Sequence, residues 1–405
     1  MAPVRFAICT TVVLLLLGGL ANPLVGQSLK TPSFLEGATK GFDLVYSLDY
    51  EAARIAFKHL QQQYPQHPGP PLYQALTLWQ QELFRRQDLQ LDRFVSPEYF
   101  NEATQRQMPA EDRNAFFRYI AESQAFSQTI LKEKPRDLDA RYFLGATYGA
   151  LAAFAVTIDH DKREGFRQGK KAYQYHSEIV QQQPDYYDAY VTTGLYEYIV
   201  ANLPWYMKWV AQIAGYRGTK DQAFKNLRLA ATKSQSVSVN ARSILVVLCL
   251  REKFYDEALD NAQFLQRRYP RNFLLHFNVA QILKEMNRPD QAVEVYTKIL
   301  EQAEARMPNY QTLPLAVLRY NIGKTMMSMN RLELAQRLFT AVINDPATGE
   351  RERALSHLNL AELLDAGGSR QQAITNYQQV LNLANVEDSH RVAQTYLKKP
   401  YRPAR

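Results

Sequence analysis

Residues 255–300 read YDEALDNAQFLQRRYPRNFLLHFNVAQILKEMNRPDQAVEVYTKIL, and the spacing inside them decides the fold. Ala258, Ala262, Leu265 and Pro270 set a pattern: a small residue, a second residue four later, an apolar one three after that, and a proline five further on. Thirty-four residues after Ala258 the pattern restarts at Ala292, with Tyr296 and Ile299. Steps of four and three keep side chains on one face of an α-helix. The proline then ends the helix, because it lacks the N–H that would continue the ladder.

Working outward, the same arrangement recurs at Ala53, Phe57, Leu60 and Pro65, and at Ala172, His176, Ile179 and Pro184. It returns at Ala223, Leu227 and Ala230, at Ala335, Phe339 and Val342, and at Ala373, Tyr377 and Val380. Upstream of several of these stands a glycine on an apolar stretch: Leu144, Gly145 and Tyr148, then Gly194, then Ile322 and Gly323. Small residues let two helices approach closely, and the larger ones fill the next layer. Connectors such as NRPDQA and DAGGSRQQA carry the chemistry of short turns.

This arrangement resembles the tetratricopeptide repeat (TPR), an antiparallel helix pair of about 34 residues. The resemblance implies an all-α, TPR-like α-solenoid over residues 30–387, a right-handed superhelix of roughly seven to eight hairpins. Residues 68–134 read as one degenerate repeat. Asp388 to Lys398 reads as a capping helix, with a tail to 405.

The 405 residues are 46% apolar and 22% charged, an ordinary globular balance. Arg5 followed by the apolar run Phe6–Leu20 predicts a secretory signal in residues 1–26, with an uncleaved N-terminal anchor as the alternative. Cys9 lies in that segment, which leaves Cys249 in the run ILVVLCL; it reads as a small core residue. No Asn-x-Ser/Thr sequon occurs, which favours a bacterial periplasm or cell envelope as the destination. The net charge of +8, or +7 once Arg5 leaves, raises nucleic acid as a partner, and export argues against it.

Two consecutive repeats are too long. Gly145 to Ala172 is 27 residues and Gly194 to Ala223 is 29, where a regular repeat has about 12. The additions fall near 150–168 and 200–219. The second contains LPWYMKWVAQIAGYRG, whose Trp205, Trp209, Ile213 and Tyr216 recur at helical spacing, with Tyr206 beside them. Such a stripe serves either as a buried plug or as an anchor for a partner or a lipid interface. The order Gly194, Leu203-Pro204, Gly215-Tyr216-x-Gly218 is similar to the signature of a TPR family that includes the fungal inclusion-body clearance protein and its animal relatives, though Thr219 stands where that family prefers an acidic residue. Similar insertions occur in bacterial exported TPR proteins. The resemblance implies hairpin geometry and no catalytic activity.

No phosphate loop, zinc motif or nucleophile motif is present. Asp159, His160, Asp161 and Glu164 form the nearest thing to a metal cluster, but Lys162, Arg163 and Arg167 lie among them, so they read as a self-paired loop. A helical enzyme would need two convergent carboxylates in a cleft. Tyrosines crowd the approach to the second insertion: Tyr186, Tyr187, Tyr190, Tyr196 and Tyr198. The expectation is a non-catalytic scaffold without cofactor or metal. It binds a protein or peptide through Tyr187, Tyr190, Tyr196, Trp205, Tyr206, Trp209 and Tyr216, with a peripheral membrane protein docking through 203–216 as the competing reading.

Overall fold

The computed structural model describes residues 28–86, 88–89, 107–202, 218–313 and 315–402. The expected signal segment, Trp205, Tyr206, Trp209 and Tyr216 lie outside them. The described residues form seventeen α-helices, and no strand occurs among them. In chain order these are α1 (Pro32–Tyr46), α2 (Tyr50–Gln63), α3 (Gly69–Arg85), α4 (Ala110–Glu133), α5 (Leu138–Thr157), α6 (Lys162–Gln182), α7 (Tyr190–Ala201), α8 (Lys220–Lys233) and α9 (Ser238–Arg251). There follow α10 (Tyr255–Arg268), α11 (Phe273–Glu285), α12 (Pro289–Glu304), α13 (Leu315–Ser328), α14 (Leu332–Asn344), α15 (Glu350–Ala366), α16 (Arg370–Leu381) and α17 (Ser389–Lys398).

The contacts divide the chain into two compact units, one ending at Asn278 and the other beginning at Val279, inside α11. In the first, α1 pairs with α2, α3 with α4, α5 with α6, α7 with α8 and α9 with α10, and each pair stacks on the next. In the second, α12 packs on α13, α13 pairs with α14 and α15 with α16, and α17 covers the last pair. Within the first unit a set of bonds ties the first hairpin to the fifth, described below.

The repeat positions form the core. Ala53, Ala172, Ala223, Ala258, Ala292, Ala335 and Ala373 are all at most 1% exposed. The residues four further on, from Phe57 and His176 to Phe339 and Tyr377, are buried with them. Full burial of a side chain such as Phe57 contributes roughly 2–3 kcal/mol. Several hairpin turns share one device. Leu48, Lys253, Asn287 and Asn330 take left-handed φ of 66°, 63°, 56° and 57°, and Gly368 takes 81°. The next residue's N–H then reaches back five positions along the chain to the helix it has left, as from Phe254 to the Cys249 carbonyl at 2.8 Å and from Arg288 to that of Leu283 at 2.8 Å. That bond pair satisfies the last carbonyls of a helix before the chain reverses.

The first insertion is no loop. Its residues lengthen both partners, so α5 has 20 residues and α6 has 21, joined by a short turn at which the Asp161 carboxylate accepts from the Arg163 and Glu164 N–H groups. Between these helices Gly145 faces His176: a Cβ there would lie 2.6 Å from the imidazole and 2.9 Å from the Tyr175 Cβ. The ring cannot retreat, being stacked on Tyr142 at 4.8 Å and bonded through Nε2 to the Tyr142 carbonyl at 3.0 Å. Gly145→Val is expected to destabilise the first unit by about 1–3 kcal/mol, through overpacking. Urea unfolding followed by tyrosine fluorescence measures it; a loss under 0.5 kcal/mol would show that the helices separate freely here.

Candidate functional site

Three features of the first unit define its interior: a buried lysine, a closing seam and a cavity. The lysine is Lys30, which is fully buried immediately before α1. Thr31 caps α1 by accepting from the Phe34 N–H, and Pro32 sets the first helical φ, so Lys30 enters from an extended approach. Its ammonium donates to Asp188 Oδ2 at 2.9 Å and to the Tyr186 hydroxyl, with Asp139 Oδ1 at 3.9 Å. It also lies 4.0 Å from the Tyr142 ring centroid and 4.3 Å from that of Tyr186, in cation–π range.

The surrounding bonds leave each carboxylate satisfied. Asp139 accepts from Ser28 Oγ at 2.6 Å and from the Tyr186 hydroxyl at 2.8 Å, and Asp188 accepts from Ser234 Oγ at 2.5 Å. Asp139 sits in the first turn of α5, and Asp188 in the short 3₁₀ helix Tyr187–Ala189 that leads into α7. One cation therefore ties residues 28–30 to the third and fourth hairpins. A buried ion pair of this kind specifies arrangement more than it adds net stability.

The seam lies at the opposite end of α1. The Tyr46 hydroxyl donates to Asn240 Oδ1, while the Tyr46 carbonyl accepts from Asn272 Nδ2 at 2.7 Å. The Tyr269 hydroxyl donates to Asp43 at 2.8 Å, and Arg271 pairs with Asp49. These bonds span 194 to 226 residues of sequence. They close the first hairpin onto α9, α10 and the start of α11.

Beside the seam is a partly open cavity of about 90 Å³. Val45 and Leu48 line it from the first hairpin, Gln80 from α3, and Val246, Val247 and Leu274 from α9 and α11. No charged side chain belongs to this lining. The Tyr50 hydroxyl and Gln80 Nε2, in the same wall, are buried with no hydrogen-bond partner. Burial raises the Tyr50 phenol above its ordinary range, so it stays protonated.

The tyrosines singled out from the sequence lie elsewhere. Tyr187 and Tyr190 are half-buried with ring centroids 6.3 Å apart, and the Tyr190 hydroxyl donates to the Pro184 carbonyl at 2.9 Å. Tyr196 is 5% exposed; it stacks on Tyr173 at 4.4 Å and lines an apolar recess between α5, α6 and α7. Tyr186 and Tyr198 are buried, the first in the lysine network and the second donating to Glu252 at 2.8 Å. The structure thus brings Tyr187 and Tyr190 together and sets Tyr196 in the interior. Neither the lysine network nor the cavity is visible in local spacing, because each joins residues from distant repeats.

The residues weighed for chemistry have structural duties. Asp159 pairs with Arg113 at 2.6 Å, Asp161 caps α6, and Glu164 pairs with Arg167 at 2.6 Å. Burial holds the Cys249 thiol well above its usual range, the opposite of what activates a nucleophile. His67 and His176 are pushed down to about 4, chiefly by burial. Burial also pushes the half-buried Glu197 up to about 7, against the hydrogen bond from Asn226 at 2.9 Å.

The fold and packing are those of an all-α, TPR-like solenoid of stacked helix hairpins. Residues 275–306, which comprise most of α11 and α12, match the family model described as tetratricopeptide repeat. No curated protein matches the chain. Among solved structures it is similar to human IFIT1 in a dimer with PPP-AAAA: 14% identity, TM-score 0.37, over 93% of this chain and 82% of that one. It is similar to yeast Tom70 at 12% identity and TM-score 0.36, over 90% and 88% of the two chains. A tetratricopeptide repeat protein from Parabacteroides merdae shares 15% identity at TM-score 0.29, over 80% of this chain and 98% of that one. At these values none of them carries a function over to this chain.

Proposed function

We propose that the chain is a non-catalytic TPR scaffold that binds a protein or peptide partner in the periplasm or cell envelope. The observation that carries this reading is the stack of TPR-like hairpins, with a recognisable repeat at 275–306, since such repeats present helix faces to proteins and peptides. Export is argued from Arg5 and the apolar run Phe6–Leu20, and with it a protein rather than nucleic acid as the partner. No described helix is long and apolar enough to cross a membrane. The contact surfaces proposed are the half-buried Tyr187–Tyr190 pair and the aromatic insertion 203–216.

Photo-crosslinking in intact cells tests this, with a photoreactive residue replacing Tyr190 in one chain and Trp209 in another. A discrete protein adduct at either position is the expected result. A lipid adduct at Trp209 would favour docking on a membrane surface, for which the Trp, Tyr and Lys content of 203–216 is the argument. Adducts confined to the chain itself at both positions would reject both surfaces.

A further inference from the structure

We propose that the outer faces of α6 and α8 form one basic surface that docks on an anionic lipid bilayer through its phosphate headgroups. This goes beyond the scaffold reading by stating where the scaffold sits. It shares with that reading only the export argued from Arg5 and the run Phe6–Leu20.

The order of the hairpins sets these two helices on the outside. α5 and α7 are buried along most of their length, whereas α6 and α8 each bury one face. α6 packs on α7, and α7 pairs with α8, so the two outer helices flank the same inner one. The buried face of α6 holds Gly165, Gln168, Ala172, His176 and Ile179. Arg163, Arg167 and Lys170, at steps of four and three, stand on the opposite side. On α8, Lys225 and Arg228 are exposed opposite the buried Ala223, Leu227 and Ala230.

Charge separates these helices from their neighbours in the outer layer. α6 holds five cations against two carboxylates, and α8 four against one. The outer helices on either side are slightly acidic, with three cations against four carboxylates in α4 and two against three in α10. The basic surplus is therefore confined to the third and fourth hairpins and is not a general property of the solenoid. The carboxylates of α6 are already engaged: Glu164 accepts from Arg167 and Gln168, and Glu178 pairs with Arg141. Arg163, Lys225 and Lys233 are exposed and make no ion pair among the described residues.

The partner follows from how the charge is laid out. The cations run along two helices and converge on no single point, which matches a plane of many headgroups rather than one discrete anion. Clusters of four to eight Lys and Arg on an amphipathic helix are a recognised signature of binding to anionic lipid. Nucleic acid offers the same phosphate chemistry, and export out of the cytoplasm selects lipid over it. The chain between α7 and α8 also contains Trp205, Lys208 and Trp209, residue types enriched at lipid interfaces.

The test measures partition of the full chain onto vesicles of phosphatidylcholine alone and of phosphatidylcholine with about 30% phosphatidylglycerol, whose surface potential favours each nearby cation about fivefold. The ratio of the two partition coefficients is read, because any contribution of the run Phe6–Leu20 is common to both. Anionic vesicles are expected to bind at least about tenfold more tightly, and the preference to fall severalfold from about 50 mM to about 300 mM salt. The variant Arg163→Gln/Lys225→Gln/Lys233→Gln removes cations that hold no pair in the fold, and it is expected to lose the preference at least about tenfold with unchanged helical circular dichroism. Lys58→Gln/Lys298→Gln/Arg337→Gln makes the same change in net charge at exposed positions on other helices and is expected to keep the preference. The inference fails if the wild type does not distinguish the two vesicles, if the preference ignores salt, or if both triple variants lose it equally. It fails as well if a short single-stranded RNA binds the chain more tightly than the anionic vesicles do. Should the first variant misfold, the lipid ratio and its salt dependence in the wild type still decide. None of these results depends on protein adducts at Tyr190 or Trp209, so the two readings can fail separately.

Discussion

Replacing Lys30 by Met is expected to destabilise the first unit by about 3–5 kcal/mol, because it leaves two buried carboxylates without their cation. The methionine keeps most of the stem volume, so the loss reports the ammonium and not a cavity. Asp139 would retain Ser28 and Tyr186, and Asp188 would retain Ser234, yet both charges would stay in an interior with no positive partner. The contacts with the Tyr142 and Tyr186 rings would go as well. The double variant Lys30→Met/Asp188→Asn removes one of the stranded charges and is expected to recover at least half of the loss. Urea unfolding of both variants, with limited proteolysis around residue 28, measures the effect. A Lys30→Met cost below 1 kcal/mol would mean that the network is dispensable. Failure of the double variant to recover would locate the loss in packing instead of charge.

The second large effect is acid sensitivity. His67 donates from Nε2 to the Leu29 carbonyl at 2.8 Å and accepts at Nδ1 from the Gly69 N–H at 2.9 Å, an arrangement that fixes the neutral tautomer. Burial, with Lys30 nearby, outweighs Asp139 and holds the ring down to about 4. His176 is fully buried, its Nδ1 without a partner, and it too is pushed down to about 4 by burial. In the unfolded chain both rings take up protons near the ordinary histidine value of about 6.5. The folded pKa is depressed, so the stability from each ring is fully present above the unfolded value. It is lost as pH falls through the window from 6.5 to 4, on the order of 2 kcal/mol per ring by pH 5.

Glu197 works in the opposite direction. Its folded pKa is raised to about 7, so the folded state takes up a proton first and gains stability as pH falls. Partial exposure of that group limits the gain to about 1 kcal/mol. The first unit is therefore expected to lose about 2–3 kcal/mol between pH 7 and pH 5. His176→Gln should remove roughly half of the histidine contribution, and Glu197→Gln should enlarge the loss by about 1 kcal/mol. Urea melts at the two pH values decide it; a pH-independent midpoint in the wild type would contradict the neutral, buried assignment.

The two predictions concern residues of very different legibility. His176 occupies a repeat position four residues after Ala172, so its place in the hairpin core can be read from spacing alone. The same holds for Gly145, and for the buried alanines from Ala53 to Ala373, because the contacts between the helices of one hairpin repeat with the period of the chain. The lengthened third hairpin is legible as an excess of residues, whereas its form, two long helices with a four-residue turn, is not. Tyr187, Tyr190 and Tyr196 look alike in sequence. The structure separates them, since Tyr196 turns toward Tyr173 and Phe166 while Tyr190 stays half-buried at the entry to α7. A tyrosine's burial depends on which neighbouring helix it meets, and periodicity carries no information about that.

By itself the sequence determined the all-helical class, the hairpin as the building unit, the face each helix buries and the turns between helices. All of these follow from interactions over a few to about thirty residues, where spacing on a helix is geometry. Only the tertiary structure decided that Lys30 meets Asp139 and Asp188, that Asp43, Tyr46 and Asp49 meet residues 240–272, and that the first unit closes around a neutral cavity. Those contacts depend on small rotations between successive hairpins accumulating over five pairs. A rotation of that kind is set by side-chain packing at every interface together, and no local pattern encodes its sum.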